Sequence, residues 1–197
     1  METFLFLDTE TTGWRKGGAK IQSGQARVCQ IAMLLTDDKG KSLMEFSSLI
    51  KPDDWSISEG AQKCHGFSDE QCDFMGVHNS FMIHSFNHMA DRASTVIAHH
   101  VEFDKAMMDI EAAYHSKTEN PCTRKPWYCT QKNSVNLCKI PATEKMRKAG
   151  RTHYKTPSLE EALQFFCGRS LGDGAHDAMY DAKACRDIFF AIRGIKL

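Results

Sequence analysis

After Thr3 the chain runs through four consecutive apolar residues, Phe4-Leu5-Phe6-Leu7. An unbroken apolar run of this kind predicts a central strand, Thr3–Leu7, covered on both faces. Val28–Thr36 and Lys41–Ile50 are two further strand candidates, and Asp37-Asp38-Lys39-Gly40 between them is a turn signal. Together they predict a hairpin, which Lys51-Pro52 ends. Ser58–Lys63, Ser68–Phe74 and His78–Arg92 read as helices, and Ser94–Ala98, rich in β-branched residues, as a fourth strand. Val101–Tyr114 places Phe103, Met107, Ile110 and Tyr114 at helical spacing. Trp127–Cys129 reads as a short fifth strand, whereas residues 139–157 are polar and basic and read as a loop. Ser158, with Glu161 three residues on, has the form of a capping box for a helix over Leu159–Phe166. The last helix, about Ala178–Arg193, carries Ala178, Ala182, Cys185, Phe189 and Ile192 on one face. The order predicts an α/β fold: a mixed five-stranded sheet, its first three strands antiparallel, with helices on both faces.

At 197 residues the chain is expected to form a single domain, 1–197. No stretch suits a signal peptide or a bilayer span, so a cytoplasmic protein without membrane contact is expected. Lys and Arg number 25, as do Asp and Glu, for a net charge of zero. This excludes a protein that coats nucleic acid by bulk charge; any such contact needs a local patch. None of the eight cysteines forms a CxxC pair, which speaks against a structural zinc site. They are expected to be reduced and mostly buried.

The candidate chemistry lies in acids distributed along the chain. Asp8 and Glu10 stand at i and i+2 beyond the first apolar run, on one face if the strand continues through them. Taken alone, an exposed turn is the commoner explanation. Asp104 opens the helix after the fourth strand, where it equally suits the helix dipole. Asp181 precedes Cys185, Ile188 and Ile192 at i+4, i+7 and i+11, and so borders the apolar stripe of the last helix, while Arg186 and Asp187 fall on a solvated side. Buried acids in company raise each other's pKa unless a cation intervenes; Mg²⁺ or Mn²⁺ would resolve the conflict. His176 follows Gly172-Asp173-Gly174-Ala175 on an expected loop, with Asp177 as N-cap, and an imidazole there can take a proton near neutral pH.

Three segments together resemble the motifs of the DEDD exonuclease superfamily. Phe6-Leu7-Asp8-Thr9-Glu10-Thr11-Thr12-Gly13 matches the first, Ala98-His99-His100-Val101-Glu102-Phe103-Asp104 resembles the second, and His176-Asp177-Ala178-Met179-Tyr180-Asp181 resembles the third in its DEDDh branch. The motifs bracket nearly the whole chain in the family order. His100 stands where the family has Asn, and Trp14 where an aliphatic residue is common. The resemblance implies a ribonuclease H-like fold and a metal-dependent 3′→5′ exonuclease that releases 5′-mononucleotides. Asp8, Glu10, Asp104 and Asp181 would hold two divalent ions, Mg²⁺ or Mn²⁺, and His176 would be the general base. The implied partner is a DNA or RNA 3′ end, single-stranded DNA preferred, with a polymerase or another replication or repair protein as a further partner.

Substrate contacts are expected from Thr11 and Thr12, through hydroxyls and backbone N–H groups, and His99 resembles a substrate-facing position of the family. Phe103 or Trp14 would stack on a base, although Phe103 equally suits the core. Lys145–Lys155 holds five cations in eleven residues, and Lys148 and Arg151 are candidates for gripping phosphates. Gly13 and Gly18 have phosphate-loop spacing, but Ala19 replaces the lysine such a loop needs. Two alternatives remain: an exoribonuclease of the same family, or a non-catalytic ribonuclease H-like binding module. A zinc hydrolase built on His84 and His88, with His99 and His100, lacks the HExxH glutamate.

Overall fold

The computed structural model describes residues 2–17, 22–116 and 123–197. Gly18, Ala19 and Cys122 lie outside the described residues.

Five strands form one sheet in the order β3-β2-β1-β4-β5: β1 Thr3–Thr11, β2 Val28–Asp37, β3 Ser42–Leu49, β4 Thr95–Ala98 and β5 Trp127–Cys129. The first three are antiparallel; β4 runs parallel to β1, and β5 parallel to β4. The mixed sheet with an antiparallel beginning is as expected from the pattern of apolar runs. β1 is longer than its apolar core. It continues through Asp8 and Glu10 to Thr11, paired against Ala32 and Gln30 of β2.

The two faces of β1 divide the core. Leu5 and Leu7 pack on one side with Met82, Phe86 and Met89 of α3 (Asn79–Arg92) and Met107 and Ile110 of α4 (Val101–Ser116). Phe4 and Phe6 pack on the other with Cys185, Phe189 and Phe190 of α8 (Ala178–Ile192). Phe4 and Phe189 meet edge-on at 4.9 Å, and Phe6 and Phe189 at 5.6 Å. Truncating one of these rings to alanine costs about 3–5 kcal/mol. This packing holds β1, and therefore its polar end, between two helical layers.

The shorter helices are α1 Glu59–His65, α2 Asp69–Met75, α5 Thr130–Cys138, α6 Glu144–Lys148 and α7 Leu159–Cys167. Ser158 and Glu161 form the expected capping box, and Ser68 with Gln71 forms a second. Two elements depart from expectation. Residues 139–157 are not all loop: Thr143 caps the short helix α6. The helix α5 was not anticipated; its sequence has no apolar stripe, and the residues it buries are Thr130 and Ser134. Arg186 and Asp187, expected on a solvated side, are paired and mostly covered, and Asp187 also binds Arg169.

No helix among the described residues is long and apolar enough to cross a membrane. The described cysteines are free thiols; Cys29, Cys72, Cys129 and Cys185 are buried, and Cys64 is exposed.

Candidate active site

β4 stops at Ala98, beside Phe6 and Leu7 of β1, whereas β1 runs on to Thr11. The end of β1 therefore lacks a neighbour on that side, and the N-terminal turn of α4 occupies the opening. Asp104 comes from this turn, on the α4 face of the sheet. Period-two alternation puts Asp8 and Glu10 on the opposite face, towards α8 and Asp181. Thr9 points back to the α4 side and donates from Oγ1 to Asp104 Oδ1 at 3.0 Å.

The four acids form one electrostatic unit. Burial, then the charges of Asp104, Asp181 and Glu10, holds the Asp8 carboxyl well above its ordinary range. Burial, then Asp181 and Asp104, raises Glu10 to about 8. Burial raises Asp104 to about 7 against the hydrogen bond from Thr9, and raises Asp181 to about 6 against the His176 backbone N–H. Asp181 is 8% exposed, and its Oδ1 has no hydrogen-bond partner. An unpartnered buried carboxylate oxygen among three other acids is costly by itself. Divalent cations would remove the cost, and this donor set is the oxygen-rich kind that Mg²⁺ and Mn²⁺ take.

His176 closes the site from the other side. It lies past a 3-10 turn, Gly172–Gly174, with backbone φ of 67°, a left-handed conformation uncommon for a residue with a side chain. Its backbone N–H donates to Asp181 Oδ2 at 3.4 Å, and its Nδ1 lies 4.0 Å from Glu10 Oε1. Gly174 makes the turn possible, since a methyl there would come within 2.8 Å of the Tyr180 ring. Asp177 caps α8, as expected, by accepting from the N–H groups of Met179 and Tyr180. Ligand atoms of Glu10, His176 and Asp181 all lie within 4.8 Å of one another.

Five residues expected to carry the chemistry are thus brought together from β1, α4, α8 and the turn before it: Glu10, His176 and Asp181 by distance, and Asp8 and Asp104 by the charges they share with Glu10 and Asp181. The expected substrate contacts divide differently. Thr11 and Thr12 are next to the acids, but their hydroxyls serve the turn: Thr11 Oγ1 donates to the Gly13 carbonyl at 2.9 Å, and Thr12 Oγ1 accepts from Arg27 N at 3.0 Å. His99 does not face the pocket as expected. It is buried, its Nε2 donates to the Pro157 carbonyl at 3.3 Å, and its Nδ1 lies 2.9 Å from Thr130 Oγ1. With Nε2 donating to a carbonyl, Nδ1 accepts from the threonine hydroxyl, a neutral state that fits the burial that lowers its pKa to about 4. Phe103 is half-buried against the core and stacks on His100 at 6.2 Å. Trp14 is 90% exposed at the rim of a cavity of about 440 Å³ that Thr12, Gly13, Trp55 and Tyr114 also line. Lys148 is exposed and paired with Glu144 at 2.7 Å, and Arg151 is exposed. The basic segment is moored at its end by Pro157, whose carbonyl also accepts from Gln131.

Three residues at the site carry no signal of spacing or charge in the sequence. Arg27, 1% exposed, binds Glu111 through Nε at 2.9 Å and Nη2 at 3.0 Å, binds Asp54 at 3.0 Å, and lies 3.8 Å over the Tyr114 ring. Its backbone pairs with Thr12, so this buried ion pair pins the turn after Glu10. His65 Nδ1 accepts from Phe67 N at 3.1 Å, so Nε2 carries the proton and faces the Thr11 carbonyl at 3.3 Å. Cys64 stands near enough to Glu10 and Asp181 that, after burial, their charges raise its thiol. The zinc-hydrolase alternative finds no support. His84 binds the Ser80 carbonyl and meets His115 edge-on, and among the described residues it joins no metal-binding group.

Residues 5–189 match the profile of the RNase_T family, described as exonucleases. The chain belongs to this family. Membership of this exonuclease family is as the three motifs led us to expect. No curated protein sequence matches the chain. Among solved structures it is similar to E. coli Exonuclease I in complex with a dA16 oligonucleotide, with a TM-score of 0.74 and 18% identity over 99% of this chain and 41% of that one. The dT13 complex of the same enzyme gives 0.73 and 19%, over 98% and 41%. The zinc-ion-bound form of its single-stranded DNA complex gives the same values. At these identities the likeness shows a shared fold. The chain spans about two fifths of the length of the Exonuclease I chain.

Proposed function

We propose that the chain is a 3′→5′ exonuclease that removes 5′-mononucleotides from single-stranded DNA with two divalent ions, Mg²⁺ or Mn²⁺, and His176 as general base. The observation that carries this reading is the buried, unpartnered Asp181 Oδ1 within an acid cluster whose members all hold their protons too tightly. Such a cluster makes physical sense as a cation site. The fold likeness to an enzyme crystallised with DNA oligonucleotides supports the substrate class.

Asp8, Glu10, Asp104 and Asp181 would hold the ions, Asp8 from the strand packed between two helical layers. Bound there, the ions supply a water of lowered pKa and positive charge for the transition state. The protein does the rest. The Thr9 hydroxyl orients Asp104. His176, half-exposed at the rim, takes the proton of the attacking water and can release it to solvent. The turn Thr11–Gly13, braced by Arg27 and His65, sets the wall against which the terminal nucleotide lies. Trp14 offers a face for stacking, which tolerates any base. The segment carrying Lys148 and Arg151, which leads to Pro157 and so to His99, would meet the phosphates further along the strand.

Matched DNA and RNA oligonucleotides, single-stranded and duplex, labelled at either end, test the reading. It expects Mg²⁺-dependent, stepwise shortening of 5′-labelled single-stranded DNA, abolished by Asp8→Asn. Binding without shortening would favour a non-catalytic module, and faster shortening of RNA an exoribonuclease.

A further inference from the structure

We propose that His176, Glu10 and Asp181 form a second kind of metal site, one for Zn²⁺, in which the imidazole becomes a ligand and the nuclease is arrested. The geometry is that of a three-point site. Donor atoms of the three side chains lie within 4.8 Å of one another, and Glu10 Oε1 and His176 Nδ1 are 4.0 Å apart. Asp181 Oδ1 is buried with no partner, while Oδ2 is engaged by the His176 backbone.

The donor chemistry separates this site from the one that serves catalysis. Mg²⁺ favours oxygen ligands in an octahedron and gains little from an imidazole. Zn²⁺ takes mixed nitrogen and oxygen donors in a tetrahedron, and with bonds of about 2.0–2.1 Å its donors stand roughly 3.3 Å apart. Reaching that spacing needs one mobile ligand and two fixed ones. The Glu10 side chain is 14% exposed and Asp181 is held in α8, whereas the His176 side chain is 53% exposed and free to close the distance. At a site of this composition Zn²⁺ outcompetes Mg²⁺ at equal concentration.

The consequence rests on the function proposed above. A histidine nitrogen bound to Zn²⁺ has no lone pair for the water's proton, and two of the four carboxylates are diverted with it. Zn²⁺ would thus inhibit at the concentrations at which it binds, with Mg²⁺ still present. The binding claim does not need the nuclease reading.

X-ray absorption at the zinc edge on the unaltered protein in Mg²⁺ buffer tests the site directly. One imidazole nitrogen with oxygen ligands is expected; a shell of oxygen alone overturns the proposal. In parallel, Zn²⁺ is titrated against a chromophoric chelator with the wild type, His176→Phe and His176→Gln. Both variants are expected to bind Zn²⁺ at least ~10-fold more weakly, with Mg²⁺ affinity changed far less. Unchanged Zn²⁺ affinity in both overturns the site and leaves the exonuclease reading intact. A wild type that binds Zn²⁺ through His176 but cuts no DNA with Mg²⁺ overturns the exonuclease reading instead.

Discussion

Thr9 Oγ1 donates a 3.0 Å hydrogen bond to Asp104 Oδ1, joining the strand that carries Asp8 and Glu10 to the helix that carries the third acid. The residue between two acids on one face thus fixes another acid reaching in from the opposite layer. Thr9→Val keeps the shape and removes the donor. An unsatisfied buried acceptor costs about 1–3 kcal/mol. The variant should be destabilised by that amount in urea unfolding and bind Mg²⁺ more weakly. Equal stability and metal affinity would mean that the bond does not position Asp104.

The acid cluster sets the pH dependence of the metal-free protein. Glu10 at about 8, Asp104 at about 7 and Asp181 at about 6 bind protons more tightly in the folded state than in the unfolded chain. Stability from such groups is fully present below the ordinary carboxylate range near ~4 and is lost as pH rises through the folded values. Without metal, melting temperature should fall between about pH 5 and pH 8.5, and Mg²⁺ should restore it most at the alkaline end. Calorimetry with and without chelator measures this; a metal-free melting temperature that rises across the range contradicts it.

Arg27 and Glu111 are a buried pair outside the acid cluster. Removing one partner of such a pair costs about 3–5 kcal/mol, and replacing both by apolar residues much less. Glu111→Ala should lower the melting temperature by roughly 6–20 °C, at about 2–4 °C per kcal/mol. Arg27→Met with Glu111→Leu should recover only part of it, because the Val28 N–H and the Asn79 side chain, which both donate to Glu111, lose their acceptor. Failure of the double variant to recover would show that the pair does more than hold the turn after Glu10.

His176 serves as a base only if its loss is felt in the chemical step. His176→Ala should lower kcat about 10²–10⁴-fold, with single-stranded DNA binding little changed. Gly174→Ala, which drives a methyl into the Tyr180 ring, should lower kcat in the same direction by less. Single-turnover kinetics separate the cases, and a loss confined to KM would assign His176 to substrate binding.

The sequence carried what depends on local pattern. The apolar run Phe4–Leu7 marked the central strand, the stripe ending at Ile192 marked the last helix, and acids at i and i+2 shared a face because the strand indeed continued. Features that depend on partners far along the chain were not legible. His99 was expected to meet substrate from its likeness to a family position, and nothing near it in the sequence shows that Thr130 and Pro157 claim its two nitrogens. Arg27 gives no sign of Glu111. The helix Thr130–Cys138 buries two hydroxyl side chains rather than an apolar stripe, and nothing local in the sequence shows the left-handed backbone of His176.

The direct measurement is anomalous diffraction from a crystal soaked in Mn²⁺. Two peaks are expected, each about 2.0–2.3 Å from carboxylate oxygens, with Asp8 touching both and Glu10, Asp104 and Asp181 completing the set. Carboxylates that turn away from one another, or manganese bound elsewhere and absent from this pocket, would contradict the assignment of the acid cluster as the metal centre.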